Sequence, residues 1–399
     1  MSSESVWLNV SAGQTPAIRE SFSYLETRLS FRLNVAVRRI GMSLRRIAHS
    51  LIFTLPLFLL GCGSYSSPSV PPGTGARYAL VSGSSSNSIS TFAIDATTGE
   101  LTPKNTVPTG GIHPRDIALA PSGRYAYVGN FGSANISVFA FDGNTGRLTM
   151  IGTPVAAGSG TRVAVGPRGD VLYSLNQNDG NISGFTINPN TGALTPLQGT
   201  VATDTAPVAL TFHPSGNFAY VANFNSGDVT VYRVDNTGAL ALLGAVPAGL
   251  SPNAIAIHPT GGFAYVTDSS SNQVMAFSIN QATGGLTSLG PPLATGNFPT
   301  SVTVDAQGRF AYVTNAIDGT VTTYAIDGAT GTLTRGSTAT AGSASIAMTV
   351  DASGRFAYTV NLGSDSVTAF TVDPTTGALT PNGLPADAAS GPASIVLVP

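Results

Sequence analysis

The sequence predicts an all-β fold, a seven-bladed β-propeller with four antiparallel strands in each blade. A tyrosine-containing strand motif recurs seven times, and a Thr-Gly turn recurs seven times at nearly constant spacing. The composition agrees, because the chain has 46 glycines and only 10% charged residues. Such a composition is typical of many short strands joined by tight turns.

The two repeated motifs set the period. The strand motif first appears as Arg77-Tyr78-Ala79-Leu80-Val81, and its later copies begin at Arg124, Asp170, Phe218, Phe263, Phe310 and Phe356. The turn glycines are Gly99, Gly146, Gly192, Gly238, Gly284, Gly331 and Gly377, which lie 46 or 47 residues apart. A period of this length over seven copies indicates the blades of a propeller.

The second copy illustrates the strands expected in each repeat. Strands are predicted over 125–130, 136–141, 148–155 and 162–165. The residues at 142–146 read Asp-Gly-Asn-Thr-Gly, a sequence that tolerates positive φ in a tight turn. No stretch shows helical periodicity.

The two ends of the repeat array complement each other. The first copy lacks the small-residue strand that precedes the tyrosine motif in the other copies. The C-terminal segment 392–399 matches segment 114–121 position by position. The last strand is therefore predicted to complete the N-terminal blade and close the ring, which removes an open sheet edge.

The N-terminal region resembles a bacterial export signal. Residues 1–41 carry no pattern and are expected to be a non-native or unstructured extension, with translation starting at Met42. Residues 42–61 combine two arginines, an apolar run and Leu-Leu-Gly before Cys62. This predicts a lipoprotein signal peptide, a lipid on Cys62 and a flexible tether over 62–76. The alternative is a membrane-spanning helix, for which the run is short.

Several function classes are disfavoured by the composition of the exported part. This part is expected to be a monomer held by its lipid to a membrane, either the outer membrane or one where it faces the periplasm or the cell surface. Its single thiol, on Cys62, rules out a disulfide framework. Residues 63–399 contain 11 basic and 17 acidic side chains, a net charge of −6 that suits nucleic acid poorly. No spacing predicts a metal site, and no fingerprint predicts a cofactor.

Certain motifs carry a family resemblance. Residues 311–315 read Ala-Tyr-Val-Thr-Asn, and His113-Pro114-Arg115 precedes Pro121-Ser122-Gly123-Arg124-Tyr125. Over residues 76–399 the chain resembles the lactonase-type seven-bladed propellers, which include 6-phosphogluconolactonases. The resemblance implies hydrolysis of a small lactone in a pocket with a carboxylate and several arginines. Glu100 is the one Glu after Cys62, and it falls in a turn at a blade edge.

In a propeller, the loops that enter the innermost strands surround one mouth of the central channel. At this predicted mouth, ionisable residues are confined to two neighbouring repeats: His113, Arg115, Asp116 and Arg162. His113 is a candidate general base, while Arg115 or Arg162 would hold an anion or stabilise an oxyanion, with Asp116 orienting a partner. The alternative is a structural ion pair between Asp116 and Arg162, with His113 at an exposed rim.

A second set of equivalent positions follows the tyrosine strand and is occupied by carboxamides, with Asp268 in one copy. These residues, Asn130, Asn176, Asn223, Asn315 and Asn361, are candidates for binding a polysaccharide or protein partner. The alternative is that they cap strand ends. A non-catalytic cell-envelope propeller that binds through its loop face is thus the second functional interpretation.

Overall fold

A computed structural model describes residues 76–398, and within that range every regular element is a β-strand. The predicted all-β fold is confirmed. The predicted extension, signal peptide and lipidated Cys62 lie outside the described residues. Between residues 76 and 398 there is no helix long and apolar enough to cross a membrane.

The strands form seven separate sheets, each corresponding to one blade. The first three blades, from the innermost strand outward, are β31 (Pro392–Val398), β1 (Tyr78–Gly83), β2 (Ser88–Ile94) and β3 (Leu101–Pro108); β4 (Pro114–Leu119), β5 (Tyr125–Asn130), β6 (Asn135–Asp142), β7 (Arg147–Met150) and β8 (Val155–Ala156); and β9 (Thr161–Val165), β10 (Val171–Asn176), β11 (Asn181–Ile187) and β12 (Leu194–Ala202).

The remaining four blades follow the same order. They are β13 (Pro207–Phe212), β14 (Phe218–Asn223), β15 (Asp228–Val234) and β16 (Leu240–Pro247); β17 (Pro252–Ile257), β18 (Phe263–Asp268), β19 (Gln273–Ile279), β20 (Leu286–Ser288) and β21 (Leu293–Ala294); β22 (Pro299–Val304), β23 (Phe310–Asn315), β24 (Thr320–Ile326) and β25 (Leu333–Thr340); and β26 (Ser345–Val350), β27 (Phe356–Asn361), β28 (Ser366–Val372), β29 (Leu379–Pro381) and β30 (Ala386–Asp387).

The ring closes as the sequence predicts. Strand β31 pairs antiparallel with β1, with Val81 opposite Ile395 and Tyr78 opposite Val398. The first and last strands of the repeat array therefore share one blade, and the backbone of β1 is paired on both sides.

The outer strand of the second blade differs from the prediction of one strand over 148–155. It is divided into β7 and β8, which pair with different parts of β6. Gly152 between them has a φ of 64°, and Pro154 lacks an amide donor, so the ladder breaks there. The outer strands of the fifth and seventh blades are divided similarly.

The core lies between the blades. In the cluster between the second and third blades, Tyr127 and Ala118 pack against Val163, Leu172 and Phe185, all of them buried. Each sheet buries both faces in this way, which explains why apolar residues occur on both faces of the tyrosine strands rather than only at alternate positions.

Candidate functional site

One face of the ring is formed by two kinds of loop that hydrogen-bond to each other in each blade. The loop entering an innermost strand accepts a bond from the loop that follows the tyrosine strand. In the second blade, the Phe131 amide donates to the His113 carbonyl at 2.9 Å. The amides of Phe224 and Leu362 donate equivalently to Ala206 and Ala344. This pairing places His113 and Arg115 on the loop face.

His113 occupies the exposed rim of this face with a left-handed backbone, φ 52°. Its amide donates to the Asn87 Oδ1 at 2.8 Å, which ties the loop to the first blade. The left-handed conformation belongs to the position, because the equivalent Gly160, Ala206, Phe298, Ala344 and Gly391 also have positive φ. The backbone conformation therefore does not distinguish His113 from the equivalent residues of the other blades, whereas its ionisable ring does.

Arg115 lies two residues further on, half-buried beside an aromatic ring. Its guanidinium carbon lies 4.0 Å from the centre of the Phe131 ring, a stacked cation–π geometry. Stacking limits the rotation of a long side chain and leaves the edge of the guanidinium plane to donate hydrogen bonds. Phe131 was not singled out from the sequence, although an aromatic residue directly after Asn130 was a signal for it.

Asp116 and Arg162 meet inside the protein. Each is 1% exposed, and Arg162 Nη1 lies 3.7 Å from Asp116 Oδ2. The sequence-based alternative of an ion pair between these two blades therefore matches the geometry. None of the three Arg162 nitrogens has a hydrogen-bond partner among the described residues. Burying a guanidinium that has only one long contact lowers the stability of the fold, because that contact offsets little of the free energy lost when the group leaves water.

The backbone around Arg162 departs from the other repeats. A Cβ on Gly129 would come within 3.2 Å of the Arg162 Cα and 3.1 Å of the Thr161 carbonyl oxygen. The glycine thus allows β9 to approach β5 closely. Strand β9 also pairs with β10 without the irregularity seen where β4 pairs with β5. Gly129 was not predicted as part of the site from the sequence, because glycine has no side chain that could carry chemistry.

The carboxamide positions are buried and lie within the blades rather than on the loop face. Asn130, Asn223, Asn315 and Asn361 are 0% exposed, and Asn176 and Asp268 are 1% exposed. Asn130 Nδ2 donates to Asn135 Oδ1 and Ser137 Oγ, both at 2.8 Å. These side chains join neighbouring strands, and glycines such as Gly111 pack directly over them. This geometry matches the alternative in which they cap strand ends, whereas the predicted ligand-binding ring would need them exposed.

The opposite rim contains two histidines with structural contacts. His213 Nδ1 accepts from the Ser215 amide at 3.1 Å, and its Nε2 lies 3.1 Å from the Gly261 carbonyl oxygen of the next blade. His258 repeats this arrangement with Thr260 and Gly308. Burial lowers the pKa of His213, because the charged form loses water.

Two arginines of that rim reach the next blade. Arg309 donates to the Pro374 carbonyl at 2.8 Å, and Arg355 donates to the Thr97 carbonyl at 3.1 Å. No group of three metal-ligating side chains comes together among residues 76–398. His113 and Arg115 thus lie on the loop face, whereas Asp116 and Arg162 are buried in the inner strands β4 and β9.

The family model described as lactonase, seven-bladed β-propeller, matches residues 74–165, 161–247, 210–348 and 245–397. The chain belongs to this propeller lactonase family. No curated protein matches the chain.

Solved structures share the architecture of this chain. A periplasmic gluconolactonase from Pseudomonas aeruginosa is 22% identical, with a TM-score of 0.71 over 81% of this chain and 99% of that one. A candidate 6-phosphogluconolactonase from Bacteroides uniformis is 20% identical, with a TM-score of 0.73 over 80% and 99%. A Lactobacillus plantarum protein is 23% identical, with a TM-score of 0.71 over 82% and 100%. At these identities the likeness concerns the fold.

Proposed function

We propose that this propeller lactonase is an exported, lipid-anchored enzyme that hydrolyses a small lactone at the rim formed by His113 and Arg115. The observation that carries the proposal is the presence, on one loop face, of an exposed imidazole and, two residues further on, of a guanidinium held against an aromatic ring. Membership of the propeller lactonase family supports the reaction class. The burial of the carboxamide positions counts against the alternative of a binding module that uses them.

The reaction follows from the chemistry of these two groups. His113 accepts a proton from a water molecule as the water oxygen attacks the lactone carbonyl carbon. The Arg115 guanidinium stabilises the oxyanion of the tetrahedral intermediate. The intermediate then expels the ring oxygen, which takes the proton back from the imidazolium. The net reaction adds one water molecule to the lactone and gives one hydroxy acid, with no cofactor consumed. In this proposal the Asp116–Arg162 pair positions the start of β4.

The test is hydrolysis of a panel of aldonolactones, including a phosphorylated one, by the purified protein and its His113→Ala variant. Alanine already occupies the same left-handed position at Ala206 and Ala344, so the variant is expected to fold. A His113→Ala loss of about 10²- to 10⁴-fold in kcat is expected for a general base. Ile112→Ser is the matched control, because serine stands there in three other repeats. Full activity of His113→Ala, or no turnover by the wild type, would refute the proposal.

The proposed anchor has its own test. Labelling of cells with a radioactive fatty acid is expected to mark the wild-type chain and to spare a Cys62→Ser variant. Since the chain has one cysteine, loss of the label in that variant identifies the modified residue. Equal labelling of both chains would contradict lipidation at Cys62.

A further inference from the structure

Gly132 lies directly beside the imidazole of His113, in the loop that follows β5. A Cβ on Gly132 would come within 3.0 Å of the His113 Cδ2 and 3.1 Å of the Ile112 Cγ2. Both distances are shorter than the contact of about 3.5–4.0 Å at which two carbon atoms attract each other best. The ring of His113 therefore occupies space that a side chain at position 132 would fill.

The backbone conformation gives no reason for a glycine at this position. Gly132 lies outside the left-handed region, whereas Gly123 and Gly146 of the same blade have φ values of 66° and 73°. Gly132 is also exposed, so burial does not demand a small residue. The equivalent residues of the other repeats mostly carry a side chain: Ser85, Asn178, Asn225, Ser270, Ile317 and Gly363.

The backbone of His113 is held on both sides, which leaves its side chain as the part that can move. The His113 amide donates to the Asn87 Oδ1 at 2.8 Å, and the His113 carbonyl accepts from the Phe131 amide at 2.9 Å. The Ile112 carbonyl accepts from the Gly132 amide, also at 2.9 Å, so the two loops are fixed side by side. A side chain at position 132 would therefore displace the exposed imidazole rather than the loop.

We propose that Gly132 is a positioning residue of the hydrolytic site, which leaves room for the His113 ring and so sets where that ring meets the attacking water. The inference rests on the proposed function, in which His113 is the general base. A general base must lie within hydrogen-bond reach of the proton that it accepts, and a misplacement of roughly 1 Å can lower a rate by about 10²-fold. The absence of a side chain at position 132 thus serves catalysis rather than folding.

The test compares Gly132→Ala with Gly363→Ala, the equivalent change in the seventh blade. Gly363 is also exposed and outside the left-handed region, and its amide donates to the Ser343 carbonyl at 2.9 Å. A Cβ on Gly363 would meet the Ser343 side chain, with Oγ at 2.6 Å, instead of an imidazole. Gly132→Ala is expected to lower kcat by about tenfold with KM nearly unchanged, whereas Gly363→Ala should leave both unchanged.

Histidine side-chain NMR shows whether the ring itself is displaced. The chain has four histidines, and the His113 signals are assigned by their absence from His113→Ala. The Cδ2 proton signal of His113 is expected to shift in Gly132→Ala and to stay in place in Gly363→Ala. Thermal unfolding of both variants should resemble that of the wild type, because substitutions at exposed positions rarely change stability much. Gly132→Ser, which introduces the residue found at Ser85 and Ser270, is a second variant with the same expectation.

Two double variants show whether the effect on kcat passes through the imidazole. In the His113→Ala background, Gly132→Ala should lower kcat no further, because the ring that it displaces is gone. In the Ile112→Ser background, where the Ile112 Cγ2 is removed, Gly132→Ala should still lower kcat by about tenfold.

The outcomes distinguish this inference from the proposed function. An unchanged kcat in Gly132→Ala, an unshifted His113 signal, an equal loss in Gly363→Ala, or a loss that disappears with Ile112→Ser would each overturn the inference and leave the proposed function intact. No lactone turnover by the wild type would refute the proposed function, and this inference with it.

Discussion

The Tyr127 hydroxyl donates a hydrogen bond to the Gly192 carbonyl oxygen at 3.1 Å, across the interface between the second and third blades. The two repeated motifs of the sequence thus meet in space one repeat apart. The same bond joins Tyr173 to Gly238, Tyr220 to Gly284, Tyr265 to Gly331 and Tyr358 to Gly99. In the sixth blade, the buried Tyr312 hydroxyl has no hydrogen-bond partner.

The tyrosine bonds are expected to contribute measurably to stability. Tyr220→Phe removes a buried hydrogen bond and leaves the Gly284 carbonyl without it, so the free energy of unfolding should fall by about 1 kcal/mol. Tyr312→Phe is the matched control, because its hydroxyl has no bond to lose. Denaturant unfolding of both variants checks this. Equal losses would show that the hydroxyl contributes nothing through this bond.

The turn glycines are expected to be intolerant of a side chain. Gly284 has a φ of 73°, and a Cβ there would lie 2.5 Å from the Phe218 ring. Gly284→Ala should therefore lower the free energy of unfolding by about 2–4 kcal/mol. Gly328→Ala, in a turn where a Cβ meets nothing within 4 Å, should leave stability unchanged or slightly higher. Similar losses in both would contradict the packing argument, and thermal unfolding measures them.

Stability is expected to decline in mild acid because of His213. Its pKa is lowered by burial, so between that lowered pKa and the unfolded value of about 6.5 the unfolded chain binds more protons. The contribution of neutral His213 to the free energy of unfolding is complete above about pH 6.5 and is lost as the pH falls below that value towards the lowered pKa of the folded state. Burial raises the pKa of Asp305, which acts in the opposite direction at lower pH. Unfolding of wild type and His213→Ala between about pH 5 and 8 isolates the His213 contribution; parallel curves would exclude it.

The two charges of the buried ion pair are expected to need each other while adding little net stability together. Arg162→Ala leaves Asp116 buried without its cation and should cost about 3–5 kcal/mol. The double variant Asp116→Ala, Arg162→Ala places in both repeats the alanine found at Ala209, Ala254 and Ala347, and should recover most of that stability. A double-mutant cycle of unfolding free energies measures the coupling, and a double variant as unstable as the single one would contradict it.

The stacking of Arg115 on Phe131 is expected to affect catalysis without affecting folding. Phe131→Leu introduces the residue found at the equivalent Leu362 and removes the ring beneath the guanidinium. A loss of about two- to fivefold in kcat/KM is expected from the cation–π contact. Phe224→Leu, at the same position of the fourth blade, serves as the control. An unchanged kcat/KM in Phe131→Leu would show that the ring does not position Arg115.

The sequence by itself determined the number of blades, the closure by β31 and the position of β5, because these depend on a period and on local strand and turn preferences. It also placed His113 and Arg115 on one face. It did not determine the division of β7 from β8, where one glycine and one proline outweigh the strand pattern.

Only the tertiary structure decided which side chains of the loop face meet solvent. The sequence places Asn130 at the end of a predicted strand without showing whether its side chain is exposed, and in the structure it is covered by Gly111 from the preceding connection. The Asp116–Arg162 ion pair joins equivalent positions of neighbouring repeats, and the tertiary structure shows that both side chains are buried. It also shows that Arg115 stacks on Phe131 within its own blade. Burial depends on neighbouring blades in three dimensions, and that packing is a property of the closed ring rather than of any one repeat.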